Sequence, residues 1–97
     1  MKLNVKPIRE RVLNRDVLSG IFLNLGSSIT AEIAANSGFD WVLLDTEHGA
    51  GDHDDLRHQL QAVTGTQAAP IVRIASNEIP RFKRALDLGA SGIMVPW

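Results

Sequence analysis

The segment GFDWVLLDTEHG, residues 38–49, decides the fold of this 97-residue chain. Apolar residues fill consecutive positions in its run Trp41–Asp45, instead of alternating with polar ones. Continuous runs of this length are typical of strands in parallel sheets, which are covered on both faces. Polar residues follow the run up to Gly49. The segment therefore predicts a buried parallel strand with a polar loop at its carboxyl end.

Three further apolar runs resemble this one, namely Ile21–Leu25, Ile71–Ile74 and Ile93–Pro96. The four runs begin at residues 21, 41, 71 and 93, so that their starts lie 20, 30 and 22 residues apart. This is the spacing of successive βα units, in which a helix follows each strand. The sequence thus predicts an alternating α/β chain with a parallel sheet.

Residues at helical spacing fill the intervals between the runs. Candidate capping residues precede each predicted helix, and a glycine follows two of them. The first of these helices is predicted over Thr30–Ser37, with Ser27 and Ser28 as candidate caps and Gly38 at its end. The second is predicted from Leu56, Leu60 and Val63, with Asp54 as its candidate cap. The third is predicted from Ile79, Phe82 and Leu86, with Asn77 as its candidate cap and Gly89 at its end. Val5, Ile8 and Val12 predict an opening helix before the first strand.

Two architectures fit this alternation, an open doubly wound sheet and a (βα)8 barrel. A dinucleotide-binding sheet has G-x-G-x-x-G after its first strand. Here the first turn is Gly26-Ser27-Ser28, and the later Gly49-Ala50-Gly51 has Asp54 in place of the third glycine. A complete barrel needs about 250 residues. We therefore predict that residues 1–97 form one partial domain, the N-terminal half of a TIM barrel, with an opening helix and about four βα units.

Composition excludes several classes of protein. Ten Lys and Arg against eleven Asp and Glu give a net charge of −1, which predicts neither a nucleic-acid nor a membrane partner. The chain has no cysteine, so disulfides and thiolate metal sites are excluded. The apolar runs are far shorter than the ~20 residues that span a bilayer. The first fifteen residues are rich in charge and lack a continuous apolar stretch, so we expect a cytoplasmic protein.

Candidate catalytic residues follow the second and third strands. Asp45, Glu47 and His48 end the second strand, and Arg73 lies near the end of the third. Because the carboxyl ends of parallel strands form the ligand crevice, these side chains should lie close together. An arginine can hold a carboxylate or an enolate oxygen, and a histidine can move a proton near neutral pH. The alternative is a structural ion pair of Arg73 beside polar loop residues.

Asp87 and the three histidines between residues 48 and 58 each allow more than one interpretation. Asp87 belongs to the last turn of a predicted helix, where the helix dipole disfavours an anion. It needs a compensating partner, either a salt bridge or turn amide, or His48 of the same or a neighbouring chain. His48, His53 and His58 are five residues apart, a spacing that does not place ligands on one helical face. We therefore do not expect a metal site there.

Five motifs in register resemble the HpcH/HpaI aldolase family over residues 18–97. They are Gly38-Phe39-Asp40-Trp41-Val42, Leu44-Asp45-Thr46-Glu47-His48-Gly49, Val72-Arg73, Leu86-Asp87-Leu88-Gly89-Ala90 and Gly92-Ile93-Met94-Val95-Pro96. The resemblance implies a (βα)8 barrel and a class II aldolase that cleaves 4-hydroxy-2-keto acids to pyruvate, or a related 2-keto acid, and an aldehyde. The chain is expected to be the N-terminal half of such an enzyme.

The resemblance also implies roles for single residues. Arg73 matches the arginine that binds the 2-keto acid, His48 matches the proton-transfer histidine, and Asp87 matches its dyad partner. Phe22 matches an aromatic residue that lines the site. Asp45 and Glu47 match acidic residues that act near the metal through water. The metal itself, magnesium, manganese or cobalt, is expected to have its direct ligands on later strands, beyond Trp97, so that this chain alone would be inactive.

Two other functions stay open. The chain could be a non-catalytic half-barrel that persists by self-assembly, or another enolate-forming lyase of the same superfamily. A half-barrel has two open sheet edges, so a homo-oligomer is expected. Apolar side chains such as Ile93 and Val95 are expected to face the barrel interior.

Overall fold

The computed structural model describes residues 6–96, in which helices and strands alternate strictly. The elements are α1 (Ile8–Leu13), β1 (Gly20–Leu23), α2 (Ser28–Ala35), β2 (Trp41–Asp45), α3 (His53–Val63), β3 (Ala69–Arg73), α4 (Ile79–Asp87) and β4 (Gly92–Met94). The predicted alternation and the opening helix are confirmed. Val5 and Trp97 lie outside the described residues.

The four strands form one parallel sheet in the order β1-β2-β3-β4. Each strand pairs with its neighbour in sequence, whereas a doubly wound sheet reverses direction at a switch point. Side chains alternate between the two faces of each strand. The register places Phe22, Leu43 and Ile71 side by side on one face, and Leu23, Leu44 and Val72 on the other. The chain therefore has the strand order of half a barrel.

The hydrophobic core lies between one face of the sheet and helices α2, α3 and α4. Val42, Leu44 and Val72 are fully buried there. The helices contribute small or branched side chains from their inner faces, namely Ala31, Ala34 and Ala35 of α2, Leu56, Leu60 and Val63 of α3, and Ala85 of α4. Residues Phe22, Leu43 and Ile71 lie on the other face, which we call the open face. No helix within residues 6–96 is long and apolar enough to cross a membrane.

The expected orientation of Ile93 is wrong. Ile93 pairs with Val72 and packs against the helix-side core, because the two residues occupy the same row of a parallel sheet. Met94, which pairs with Arg73, is the β4 residue on the open face, and its side chain is 37% exposed. Val95 follows the end of β4 and is also exposed.

Helix starts differ from the predicted ones in two places. The N-cap of α3 is Asp52 instead of Asp54, and a capping box joins it to Asp55 through both backbone N–H groups. The N-cap of α4 is Glu78 instead of Asn77, with Pro80 in the first turn. Ser27 caps α2 as predicted, since its hydroxyl oxygen accepts the Thr30 N–H at 3.3 Å.

The bounds of β1, β3 and β4 shift by one or two residues from the predicted runs, whereas those of β2 are as predicted. β1 ends at Leu23, because the Asn24 carbonyl accepts the Ala50 N–H of the loop after β2 and the chain turns at Gly26, where φ is +67°. β3 begins at Ala69 and includes Pro70, whose carbonyl accepts the Ser91 N–H. The opening helix α1 is tied to the start of β2 by an ion pair of 2.5 Å between Arg11 and Asp40.

Candidate active site

Asp45 and Arg73 form the centre of the candidate site at the carboxyl ends of β2 and β3. They are direct register partners, so their side chains leave the open face at the same height. Arg73 Nη2 donates to Asp45 Oδ2 at 2.5 Å, and Arg73 Nε donates to Oδ1 at 3.1 Å. This two-point contact matches the planar geometries of a guanidinium and a carboxylate. The Asp45 side chain is only 5% exposed, so the pair is shielded from water on one side.

The pair determines the charge of both groups. The hydrogen bonds from Arg73 lower the pKa of Asp45 from its ordinary value of 3.8 to about 2, against the opposing effect of burial. The same contact raises the pKa of Arg73 above its ordinary value. Asp45 is therefore an anion and Arg73 a cation throughout the physiological range. Neither group is suited to exchanging protons during a reaction.

Asp45 also shapes the loop after β2. Its Oδ1 atom accepts the backbone N–H of Glu47 at 2.9 Å and of His48 at 3.0 Å. The loop folds tightly against β2, since a Cβ atom at Gly49 would lie 1.9 Å from the Asp45 carbonyl oxygen. The buried Asp45 carboxylate thus holds both the Arg73 guanidinium and the backbone of the loop that carries His48.

Thr46 joins the loop to β3 from the other side. Both its N–H, at 3.0 Å, and its hydroxyl, at 2.6 Å, donate to the Arg73 carbonyl oxygen. The loop is therefore bonded to the side chain of Arg73 through Asp45 and to its main chain through Thr46.

Glu47 and His48 lie beside the pair of Asp45 and Arg73. The Glu47 carboxylate lies 3.5 Å from Arg73 Nε and 3.3 Å from His48 Nε2, and its side chain is 15% exposed. The His48 side chain is 71% exposed. The structure therefore brings four of the predicted site residues together, as one chain of contacts from Asp45 through Arg73 and Glu47 to His48.

Aromatic side chains form the floor of this site on the open face. The Arg73 guanidinium carbon lies 5.7 Å from the centre of the Phe22 ring, within cation–π range. Trp41 packs edge-on against Phe22, with 6.1 Å between ring centres. A Cβ atom at Gly20 would lie 1.9 Å from the Trp41 indole, so only glycine leaves room for it. Phe22 thus lies beside Arg73. Its role in lining a substrate site stays a prediction.

Asp87 does not join these residues within one chain. It is the last residue of α4, which leads into the start of β4, whereas His48 follows the end of β2. Because the strands are parallel, the two residues lie at opposite ends of the sheet. No hydrogen bond or ion pair connects them within residues 6–96. A pairing of Asp87 with His48 therefore stays a prediction for a contact between chains.

The acidic residues of the site do not form a direct metal site on their own. Among residues 6–96 no group of three or more His, Asp and Glu side chains is placed to hold a metal ion. Both oxygens of Asp45 already accept hydrogen bonds from Arg73. Divalent magnesium demands a near-complete octahedron of oxygen ligands. Asp45 and Glu47 could contact such an ion only through water or beside other ligands.

Comparison with known proteins identifies the family. The family model described as HpcH/HpaI aldolase/citrate lyase matches residues 18–97. The chain belongs to this family. Its members include 2-keto-3-deoxy-L-rhamnonate aldolase of Escherichia coli O157:H7, which is 39% identical over 94 residues. That alignment covers 97% of this chain and 35% of the relative, so the chain spans about a third of the relative's length.

Solved structures of HpcH/HpaI relatives have the same fold. The structure of the citrate synthase SbnG matches with a TM-score of 0.86 and 35% identity, covering 94% of this chain and 37% of that one. A family protein from Burkholderia cenocepacia J2315 matches with a TM-score of 0.84 and 35% identity, covering 95% and 37%. The half-barrel architecture is therefore that of the first part of the HpcH/HpaI fold.

Three residues of the site were not predicted from the sequence, namely Trp41, Thr46 and Gly49. Trp41 shares the alternation of Leu43 and Asp45, so period two within β2 could have placed it on the open face. Thr46 acts through its contact with the main chain of β3, which no sequence pattern reveals. Gly49 has no side chain to signal its close approach to Asp45.

Proposed function

We propose that this chain supplies the keto-acid-binding part of a class II aldolase. The substrates would be 4-hydroxy-2-keto acids, cleaved to pyruvate or a related 2-keto acid and an aldehyde. The single observation that supports this is the Arg73 guanidinium, held by Asp45 at the sheet end beside the Phe22 ring and connected to His48 through Glu47. A structural ion pair alone would not need an aromatic floor and an adjacent exposed imidazole.

Arg73 would bind the keto acid with the donors that Asp45 leaves free. Asp45 engages Nε and Nη2, and Nη1 makes no hydrogen bond to any residue in 6–96. A guanidinium has donors on all three nitrogens, so Nη1 can meet the carboxylate or the developing enolate oxygen. Because Asp45 fixes the guanidinium in advance, no reorganisation is needed when charge develops on that oxygen.

His48 would move the proton. In the cleavage direction the 4-hydroxyl loses its proton, the C3–C4 bond breaks, and its electron pair forms the enolate of the 2-keto acid while the aldehyde departs. A proton then returns to C3. The exposed His48 ring, with Glu47 3.3 Å from Nε2, is the group in this chain suited to this transfer. Asp87 of a neighbouring chain is the proposed dyad partner.

A divalent ion of the kind used by class II aldolases would supply Lewis-acid stabilisation of the enolate. We propose magnesium, manganese or cobalt, with direct ligands outside residues 6–96 and with Asp45 and Glu47 acting through water. The proposed ligands of the protein are small molecules only, with no nucleic acid and no membrane. The cytoplasm is the proposed compartment on the sequence grounds given above.

A second candidate is another reaction that forms an enolate, in which the enolate comes from a different compound or reacts with a partner other than the aldehyde. The solved relative at 35% identity is named a citrate synthase, and its reaction also joins carbon to a carbonyl group. The residues on the open face would serve both reactions, since each needs a stabilised enolate oxygen. The choice between them depends on the aldehyde-side contacts.

The deciding experiment uses proton exchange, which reports enolate formation without any aldehyde. We would join this chain to the remaining barrel of a rhamnonate-type relative and follow exchange of the pyruvate C3 protons in D2O by NMR, with manganese or magnesium present. The fusion should exchange the protons and also cleave 4-hydroxy-2-keto acids. The 97-residue chain alone should do neither.

Arg73→Lys in the fusion should slow the exchange, and its matched control is Arg57→Lys, since Arg57 is an exposed arginine on α3, far from the open face. Arg57→Lys should leave exchange unchanged. A folded fusion that fails to exchange pyruvate protons would contradict the proposed function. Exchange without cleavage of any 4-hydroxy-2-keto acid would favour the second candidate instead.

A further inference from the structure

A separate cavity lies on the helix side of the sheet, behind the candidate active site. Its volume is about 140 Å³, the room of several water molecules at about 30 Å³ each. It opens between the N-terminal ends of α3 and α4. Its floor is apolar and consists of Leu56, Val72, Ile74 and Ala85. Its polar lining includes Asp52, His53, Arg81 and Arg84. Arg73 lies on the opposite face of the sheet and does not line the cavity.

The Arg81 guanidinium has an unmet hydrogen bond in this cavity. Its Nε atom is buried and has no hydrogen-bond partner among residues 6–96. The nearest carboxylate oxygen, on Glu78, is 3.7 Å away, beyond hydrogen-bond distance. Glu78 instead accepts a hydrogen bond from the Ser76 hydroxyl. Buried donors in native proteins are nearly always satisfied, so an acceptor is expected beside Nε.

The charge of the lining indicates what the acceptor is. Arg81 and Arg84 bring two positive charges to the cavity, and Asp52 brings one negative charge. Glu78, which does not line the cavity, pairs with Arg81 at 3.7 Å and offsets part of its charge. Asp52 is committed to the start of α3, where it accepts the Asp55 N–H at 3.0 Å. An anion can therefore approach the two guanidinium groups. The apolar floor disfavours a fully hydrated anion and favours one that carries a short hydrocarbon tail.

From these observations we infer that the cavity binds a small monocarboxylate with a short apolar tail. The carboxylate contacts Arg81 Nε and the Arg84 guanidinium, and the tail covers Val72 and Ala85. The cavity is distinct from the proposed keto-acid-binding position, because Arg73 and His48 do not line it, and Thr46 is the site residue that lines both.

The walls of the cavity connect it to the candidate site. Thr46 and Ala75 line the cavity. Thr46 directly follows Asp45, and Ala75 comes two residues after Arg73. Thr46 donates two hydrogen bonds to the Arg73 carbonyl oxygen. A ligand in the cavity would therefore contact the residue that is bonded to the main chain of Arg73.

The test is an NMR titration of the 15N-labelled chain with butyrate and, separately, with inorganic phosphate. Butyrate should shift the backbone amides of Thr46, Ala75 and Arg84 in a saturable way, and it should bind more tightly than phosphate. Arg81→Met should weaken butyrate binding about tenfold or more, since it removes a charged hydrogen bond. Lys83→Met removes the same charge from the exposed side of α4 and should leave binding unchanged.

Three results would overturn the inference. Phosphate binding as tight as butyrate would show that the apolar floor contributes nothing. Equal weakening by Lys83→Met and Arg81→Met would indicate general attraction to the basic helix. No saturable shift with either probe would show that the cavity has no ligand of this class. Arg84→Met serves as a second variant if Arg81→Met alters the reference spectrum.

Discussion

Asp45 connects two strands and a loop of the candidate site, because its carboxylate accepts from Arg73 and from two loop N–H groups. Its position at the end of β2 and opposite Arg73 follows from the register of the sheet. Carboxylates held by several donors stay ionised in acid, and their neighbours lose orientation when they are removed. Single substitutions can therefore separate its structural role from the roles of Arg73 and His48.

Arg73→Lys is expected to reduce kcat/KM about 10²–10³-fold in the barrel fusion, since it removes a preorganised donor from the enolate oxygen. Lysine keeps the charge but loses the planar contact with Asp45. The fold should persist, because Arg73 lies at the end of its strand. Turnover and melting temperature are measured on the same variant. Near-normal turnover with a lower melting temperature would assign Arg73 to a structural ion pair only.

The free energy of unfolding of Asp45→Asn is expected to fall less on acidification than that of the wild type. The folded pKa of about 2 lies below the ordinary 3.8, so the ion pair stabilises the fold above pH 4 and this contribution is lost as pH falls from 4 towards 2. The shift corresponds to about 2 kcal/mol at neutral pH. Urea unfolding of both proteins at pH 7 and pH 2 measures it.

The free energies of unfolding of wild type and Asp45→Asn should differ at pH 7 and converge near pH 2. Asp54→Asn is the control, since that side chain is 79% exposed and contacts Arg57 only at 3.6 Å. A difference between wild type and Asp45→Asn that persists unchanged at pH 2 would contradict the assigned cause.

At the scale of elements, residue spacing predicted the order of helices and strands, but not their ends. The continuous apolar run identifies β2 to the residue, because its three central residues, Val42, Leu43 and Leu44, are all buried. The ends of β1 and β4 depend on loop hydrogen bonds and on pairing with a neighbour. Ile93 shows the limit clearly, since its face is decided by register with Val72, a property of two strands together.

The capping box of α3 gives a prediction at this scale. Asp52→Ala should lower the free energy of unfolding by about 1 kcal/mol, because it leaves the Asp55 N–H without its partner. Denaturation followed by circular dichroism measures the change. Asp54→Ala, which removes the residue first expected to cap this helix, should change stability by less than about 0.5 kcal/mol. The reverse order of the two effects would contradict the observed cap.

At the scale of the whole molecule, the open face has apolar side chains without a layer against them. Phe22 is 49% exposed and Met94 is 37% exposed. In residues 6–96, β1 and β4 each pair with one strand only. Open edges beside an apolar face favour association. Family membership could be predicted from local motifs, but what covers this face could not, because it depends on residues that are distant in sequence or in another chain.

We expect the 97-residue chain to form a dimer or larger assembly at micromolar concentration. Light scattering coupled to size exclusion measures its mass. Met94→Glu, which places a charge on the open face, should shift the population towards monomer. Ile33→Glu is the control, because Ile33 is 63% exposed on the outer surface of α2. A well-folded wild-type monomer would contradict the prediction, as would equal dissociation by both variants.

The position of the Trp41 indole has a practical consequence. It lies on the open face, edge-on to Phe22 and against the backbone of Gly20. Indole emission moves to shorter wavelength when its surroundings lose water. With Trp97 replaced by phenylalanine, Trp41 is the single tryptophan of the chain, and it lies on the open face. Its emission spectrum then reports, in real time and without an added label, when the open face loses contact with water.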